Sequence, residues 1–400
     1  MYKIEKTLTI KPDYIDAYTN GYPLISKKSI TNLEQLPEEG TVINLVDEKN
    51  RFIVKGYHGI QNKGYGWVLT QHKNDSIDID FFVKKIKAAV AYREEFYKNE
   101  STTAFRVLNG EGDGLGGLTI DYFDGFYMLT WYSLGIYALK DIILEALKQS
   151  VEYKGIYQKK RFDGKGKYLD DDNDFLFGKE ADAPIIVKEN GVNFAIYLDD
   201  GAMVGVFLDQ RDVRAAIRDK YAKGKTVLNT FSYTGAFSVF AAVGGAKKTT
   251  SVDLAKRSLV KTQEQFNVNA IDVQKQDIIV EDVFNYFKYA VRKKLLFDMV
   301  VVDPPSFARS KKHTFSASKD YVNLLKEVIQ ITNTNGIIVA STNSANFSMM
   351  TFRDFISKAF RELKGKFKVE ESFTLPKDFK VLEKFKEGDY LKVVFIRKIR

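Results

Sequence analysis

Phe297-Asp298-Met299-Val300-Val301-Val302-Asp303-Pro304-Pro305-Ser306-Phe307 is an apolar run that stops on an acid, two prolines, a hydroxyl and an aromatic ring. A short, nearly unbroken apolar segment bounded by turn residues reads as a buried strand. Proline fixes its own φ and lacks an N–H, and it drives the residue before it into an extended conformation. The two prolines therefore make a stiff turn that cannot coil back into helix. Carbonyls in such a turn, with the Asp303 carboxylate, can accept hydrogen bonds from an amino group, and Phe307 offers a stacking face. A rigid strand-to-loop turn without chemistry is the competing reading at this point.

Outward from this stretch, strands and helices alternate from about Ala181 to the end. The pattern predicts strands over 226–229, 249–253, 297–302 and 336–341, with helices over 236–243, 258–267 and 321–332 between them. Two further strands are predicted over 368–375 and 391–399. Such alternation implies a Rossmann-like α/β domain, an open and mostly parallel sheet with helices on both faces. Ligands of such sheets bind at the carboxyl ends of the strands, where Asp303 falls.

The first seventy or so residues read as short strands. Thr41–Val46 and Arg51–Tyr57 flank the polar turn Asp47-Glu48-Lys49-Asn50, a hairpin signal, and Gly66–Thr70 follows. The expectation is a small β-barrel (1–73) whose lysines and tyrosines suit nucleic acid. Asn74-Asp75-Ser76 reads as a linker. An α+β block (77–180) follows, with a helix from Ile79 and strands at 104–108, 118–122 and 126–131. Its Gly-rich stretch Asn109–Gly114 lacks the Gly-Lys-Ser/Thr ending of a phosphate loop and reads as a tight turn. Residues 181–400 make the third expected domain.

A chain of 400 residues is too long for one ordinary core, so several domains are the expectation. With 44% hydrophobic and 28% charged residues it has the make-up of a soluble globular protein. No leader or apolar run of membrane-spanning length is seen, so the reading is cytoplasmic, without a membrane span. The absence of cysteine removes thiolate metal sites, disulfides and cysteine nucleophiles together. His58, His72 and His313 lie far apart, so no metal is expected. A net charge of +9 and an aromatic share of 14% point toward a nucleic-acid partner, since exposed rings stack on unpaired bases, with a basic enzyme whose lysines only solvate its surface as the plain alternative.

Three motifs carry chemistry. Asn229-Thr230-Phe231-Ser232-Tyr233-Thr234-Gly235-Ala236 is small and polar and opens into a helix, whose free N–H groups favour a carboxylate. An ordinary turn capped by Thr234 is the plain alternative. Asp253 ends the second predicted strand, where an acid can accept hydrogen bonds from both hydroxyls of a ribose. Asp282 is placed to contact an adenine amino group, with Asp277 as its competitor. Ribose and adenine contacts without a glycine fingerprint for pyrophosphate describe S-adenosylmethionine better than NAD.

Asn229–Ala236, Ser251-Val252-Asp253-Leu254-Ala255, Asp303–Ala308 and Val206–Arg214 together resemble the signature motifs of the class I ribosomal RNA large-subunit methyltransferases. The likeness extends upstream, where Phe105–Gly114 resembles that family's central domain and the amino-terminal barrel is similar to a PUA RNA-binding domain. The resemblance implies cofactor contacts at Asp209, Gln210, Arg214, Phe231, Tyr233, Asp253 and Asp282. Asn229, Ser232, Thr234, Leu254 and Asp303 complete the candidate cofactor set. It also implies that Asp303, Pro304 and Phe307 face the target base, as catalytic residues.

One departure bears on the chemistry. Members that methylate carbon 5 of cytosine use a cysteine where this chain reads Ala340-Ser341-Thr342-Asn343-Ser344, with Asn343 at roughly the cysteine position. Carbon 5 becomes nucleophilic only after a thiolate adds to the ring, whereas a nitrogen lone pair attacks a methyl group directly once aligned. The expectation is an S-adenosylmethionine-dependent methyltransferase acting on a nitrogen of 23S ribosomal RNA. Lys159, Lys160 and Arg161 are its candidate RNA-contact arm, and a homodimer is left open. The rivals are a non-catalytic RNA-binding or ribosome-assembly protein, a cytosine carbon-5 enzyme, and a dinucleotide-dependent oxidoreductase.

Overall fold

The computed structural model describes residues 5–61, 64–162, 174–199, 204–309 and 314–400, so His313 lies outside it. The chain divides into two compact units. The first comprises Met1–Val187, Ile196–Val204 and Lys377–Gly388, and the second Lys188–Ala195, Gly205–Pro376 and Asp389–Arg400.

In the first unit, five strands form the amino-terminal sheet, ordered Lys6–Thr9, Val42–Val46, Phe52–Gln61, Gly64–Thr70 and Leu24–Ser26. The expected hairpin is there, with Val42 opposite Tyr57. An antiparallel bridge from Ile10 to Ile30 helps to close the sheet on itself. The strand-only expectation is corrected by a helix at Pro12–Thr19, which has proline at its start and Asp13 in its first turn. A second sheet runs Phe175–Gly178, Gly155–Lys160, Phe126–Trp131, Leu118–Phe123, Ala104–Asn109. The helix Ile79–Tyr92 is capped by Asp78, whose carboxylate accepts from Phe81 N at 3.0 Å.

Barrel and middle block are not separate cores. Tyr57, Trp67 and Leu69 pack in one cluster with Phe105, Leu118, Leu129 and Trp131, and Tyr57 Oη donates to Gly116 O at 2.7 Å. The Gly-rich stretch is a 3₁₀ turn, Gly110–Asp113. A Cβ on Gly112 would lie 1.9 Å from Lys380 O, so the returning segment 377–388 requires glycine there. Arg93 ties that segment down. Fully buried, it grips the Asp113 carboxylate at 2.7 and 2.8 Å and donates to Asp378 O at 3.0 and 2.6 Å.

The second unit is built on a seven-stranded sheet: β1 (Thr226–Thr230), β2 (Lys248–Asp253), β3 (Asp277–Val280), β4 (Phe297–Val302), β5 (Thr332–Thr342), β6 (Phe367–Phe373) and β7 (Lys392–Lys398). Their order is β3-β2-β1-β4-β5-β7-β6. The first five are parallel, and β7 runs antiparallel to both β5 and β6. Its helices are α1 (Arg211–Ala216), α2 (Ala236–Val243), α3 (Arg257–Asn267), α4 (Val283–Lys293), α5 (Ala317–Gln330) and α6 (Met349–Glu362). β3, α1, α4 and α6 were not among the predicted elements, and β5 begins four residues before its predicted start.

Side-chain alternation explains why the central strands read as unbroken apolar runs. Met299 and Val301 of β4 enter the core shared with Val213 of α1 and Phe237 of α2, while Val300 and Val302 enter the core under α4, α5 and α6. Val339 and Ala340 of β5, and Val393 and Val394 of β7, divide in the same way. Both faces are covered, so both sets must be apolar.

Candidate active site

Sheet register brings the candidate residues to one edge. Thr230 pairs with Val252 and with Val302, Asp253 with Val280, and Val302 with Ala340. The segments that follow, Phe231–Thr234, Leu254, Asp282, Asp303–Phe307 and Asn343, therefore leave the sheet side by side at its carboxyl ends.

The loop after β1 is strained into shape. Phe231 and Tyr233 hold φ of 54° and 51°, and Gly235 holds 78°, a region that side chains usually avoid. A Cβ on Gly235 would also approach Thr262 Cγ2 to 2.5 Å. Asp253 fastens this loop, since its Oδ2 accepts from Tyr233 N at 2.8 Å and its Oδ1 from Ala255 N at 2.9 Å. Each carboxylate oxygen retains lone-pair capacity for a hydroxyl. Beside it, Leu254 and Phe207 are 58% and 43% exposed, and the Phe207 ring lies 5.3 Å from that of Tyr233. Thr234 does not cap α2. Its hydroxyl donates to Gly205 O at 2.7 Å, and the cap residue is Gly235. Ser232 is buried with its backbone N–H on Val252 O.

Asp282 caps α4, one oxygen accepting from Phe284 N and Asn285 N at 2.9 and 3.2 Å. Its competitor Asp277 opens β3, at the opposite end of that strand from the site, and is engaged by Lys248.

Asp303 is the electrostatic centre. Burial pushes its carboxyl up to about 6, the Asp209 charge adds to the rise, and hydrogen bonds from Ser341 and Gln210 with the Arg214 charge oppose it. Gln210 Nε2 reaches Asp303 Oδ2 at 3.3 Å and Ser341 Oγ at 2.8 Å, while its buried Oε1 has no partner among the described residues. Tyr390 Oη donates to Asp209 Oδ2 at 2.8 Å. After Asp303, Pro304 is buried, Ser306 is half-buried and Phe307 is 63% exposed.

Two candidates are set back from this edge. Arg214 is buried, in a bidentate pair with Glu189 at 2.7 Å for both contacts and with its third bond on Phe207 O. It is a buried cation whose Nε and Nη2 are engaged, behind the edge where the other candidates gather. Asn229 is likewise fully buried, donating to Ser238 Oγ at 3.0 Å. Lys159 is corrected, being buried and ion-paired with Asp174, whereas Arg161 is exposed. Ser341, Tyr390 and Glu189 were not expected at the site. Only the sheet register and the fold of 188–195 bring them there.

Among the described residues no group of three or more His, Asp or Glu is arranged to hold a metal ion, and no helix is long and apolar enough to cross a membrane.

Comparison with known proteins places this geometry. Residues 111–381 match the profile of a family described as S-adenosylmethionine-dependent methyltransferase, and residues 8–71 match a PUA-like domain. YwbD of Bacillus subtilis, provisionally named a ribosomal RNA large subunit methyltransferase, is 55% identical over 395 residues, which is 98% of this chain and 100% of that protein. Ribosomal RNA large subunit methyltransferase I of Aliivibrio fischeri is 30% identical over 377 residues, 94% of this chain and 95% of the relative. The crystal structure of SMU.776, provisionally a methyltransferase, complexed with SAH, superposes with a TM-score of 0.89 at 38% identity, covering 98% of this chain and 100% of that one.

Proposed function

Because the chain belongs to the S-adenosylmethionine-dependent methyltransferase family, we propose that it methylates a base of large-subunit ribosomal RNA, at a nitrogen atom. The relative that matches from end to end supports the RNA class. The nitrogen target is carried by one observation: the chain has no cysteine, so it has no thiolate with which to activate carbon 5.

The residues at the sheet edge fit S-adenosylmethionine. The Asp253 carboxylate is fixed by two backbone N–H groups with lone pairs left for ribose hydroxyls. Leu254 and Phe207 offer exposed apolar surface beside it. Asp282 keeps one carboxylate oxygen outside its cap, able to accept from an adenine amino group. Gln210 Oε1 is an acceptor without a partner among the described residues. When bound, the cofactor supplies an electrophilic methyl group on a sulfonium.

The remaining work is positional. A base nitrogen must lose a proton or gain a charge when it takes a methyl group, and an acceptor aimed at it lowers that cost. Asp303, ionised above about pH 6, is such an acceptor. Gln210 and Ser341 hold its carboxylate in one orientation, the buried Pro304 stiffens the turn, and Phe307 presents an exposed ring for stacking.

Nucleoside mass spectrometry of large-subunit RNA from a deletion strain and its complemented partner tests both parts. Loss of one N-methylated nucleoside, restored on complementation, is expected. Loss of 5-methylcytidine overturns the nitrogen target, and an unchanged nucleoside profile overturns the RNA substrate.

A further inference from the structure

We infer that Asn343 reads the target base by donating from its side-chain amide to a lone-pair acceptor on that base, a ring nitrogen or a carbonyl, and that Ser306 orients it. The inference rests on the base-methylation reading above and deepens it.

Ser306 Oγ donates to Asn343 Oδ1 at 2.6 Å, a normal length for a hydroxyl donor. This bond spans the loops after β4 and β5, the strands that deliver Asp303 and Asn343 to the edge. An amide group is planar, with its oxygen and nitrogen on opposite sides. Occupying Oδ1 therefore turns Nδ2 the other way, with two N–H donors. Asn343 is exposed, and Nδ2 has no hydrogen-bond partner among the described residues.

The backbone carrying this amide is pinned. Lys392, itself buried, donates from Nζ to Ser344 O at 3.1 Å and to Tyr390 O at 3.0 Å, and Ser344 N donates to Thr342 Oγ1 at 3.3 Å. A fixed donor discriminates between bases better than a mobile one, since less ordering remains to be done on binding. Asp303 accepts and Asn343 donates, so the two loops together read a base edge with a donor and an acceptor. An edge of bare C–H groups satisfies neither.

Steady-state methyl transfer from radiolabelled S-adenosylmethionine to protein-free large-subunit RNA, prepared from a deletion strain, tests the assignment. Asn343→Asp keeps the shape but replaces the donor with an acceptor. It is expected to lower kcat/KM for RNA by about 10- to 100-fold, the scale of losing a base-reading contact, mainly through KM for RNA. SAH affinity by calorimetry and the thermal midpoint should stay as in the wild type. Ser306→Ala should lose less, and Ser306→Thr, which retains the hydroxyl, should recover most of that loss. Unchanged kcat/KM in Asn343→Asp, or an equal fall in SAH affinity, overturns the assignment. Wild-type protein that binds SAH but methylates no large-subunit RNA overturns the substrate reading and this inference with it.

Discussion

Asp303→Asn should inactivate the protein and stabilise it at the same time. A carboxyl held at about 6 instead of 3.8 is harder to ionise in the folded than in the unfolded chain. Each tenfold change in proton affinity is worth about 1.4 kcal/mol, so the full penalty is about 3 kcal/mol. Asp303 is half-buried, and solvent screening together with the Gln210 and Ser341 bonds that asparagine keeps only in part reduces the expected gain to about 1 kcal/mol. The sign follows from linkage. Between pH 3.8 and about 6 the folded state holds this proton more tightly than the unfolded state, so the wild type loses stability as pH rises through that window. Asparagine does not titrate, so its advantage is complete at pH 8 and falls to about half by pH 5. Thermal unfolding of the cofactor-free protein should show the midpoint raised by about 2–4 °C at pH 8, and by less at pH 5. Methyl transfer should be lost, with little change in SAH affinity. A variant that is less stable at pH 8, or whose difference is the same at both pH values, refutes burial as the dominant influence on Asp303.

Three further outcomes are expected. Asp253→Ala should weaken SAH binding by about 1–3 kcal/mol, the cost of leaving buried hydroxyls unpaired, as read by calorimetry. Arg214→Met strands the Glu189 carboxylate in the core, so urea unfolding should show a loss of about 3–5 kcal/mol, and replacing Glu189 by Leu as well should recover most of it. Arg161→Ala should reduce the slope of log RNA affinity against log salt by about 1, whereas Lys159→Ala should lower stability and leave that slope unchanged.

Legibility followed the range of the interactions. β4 was readable because two cores demand apolar side chains on both of its faces, so Phe297–Val302 shows in sequence as one run. Asp303, Asp253 and the 231–234 loop were readable because each adjoins its own strand. Asp282 carries two signals at once, an acid at the site and a cap before the apolar spacing Val283, Tyr286, Phe287, Ala290. The second signal, overlooked, marks α4. Arg214 could not be placed, because its partner Glu189 lies 25 residues upstream on a segment without a motif. The Ser306–Asn343 bond joins residues 37 apart, a contact that only the parallel register of β4 and β5 creates.

The return of Lys377–Gly388 to the first unit has a bearing on biosynthesis. A ribosome delivers the chain from its amino end, yet the Arg93 guanidinium cannot acquire its Asp378 carbonyl until 285 further residues have been made. The first unit therefore stays unfinished until its returning segment is made, by which point Lys188–Ala195 and Gly205–Pro376 of the second have already been synthesised. Neither is a cassette that recombination could lift out with a single cut.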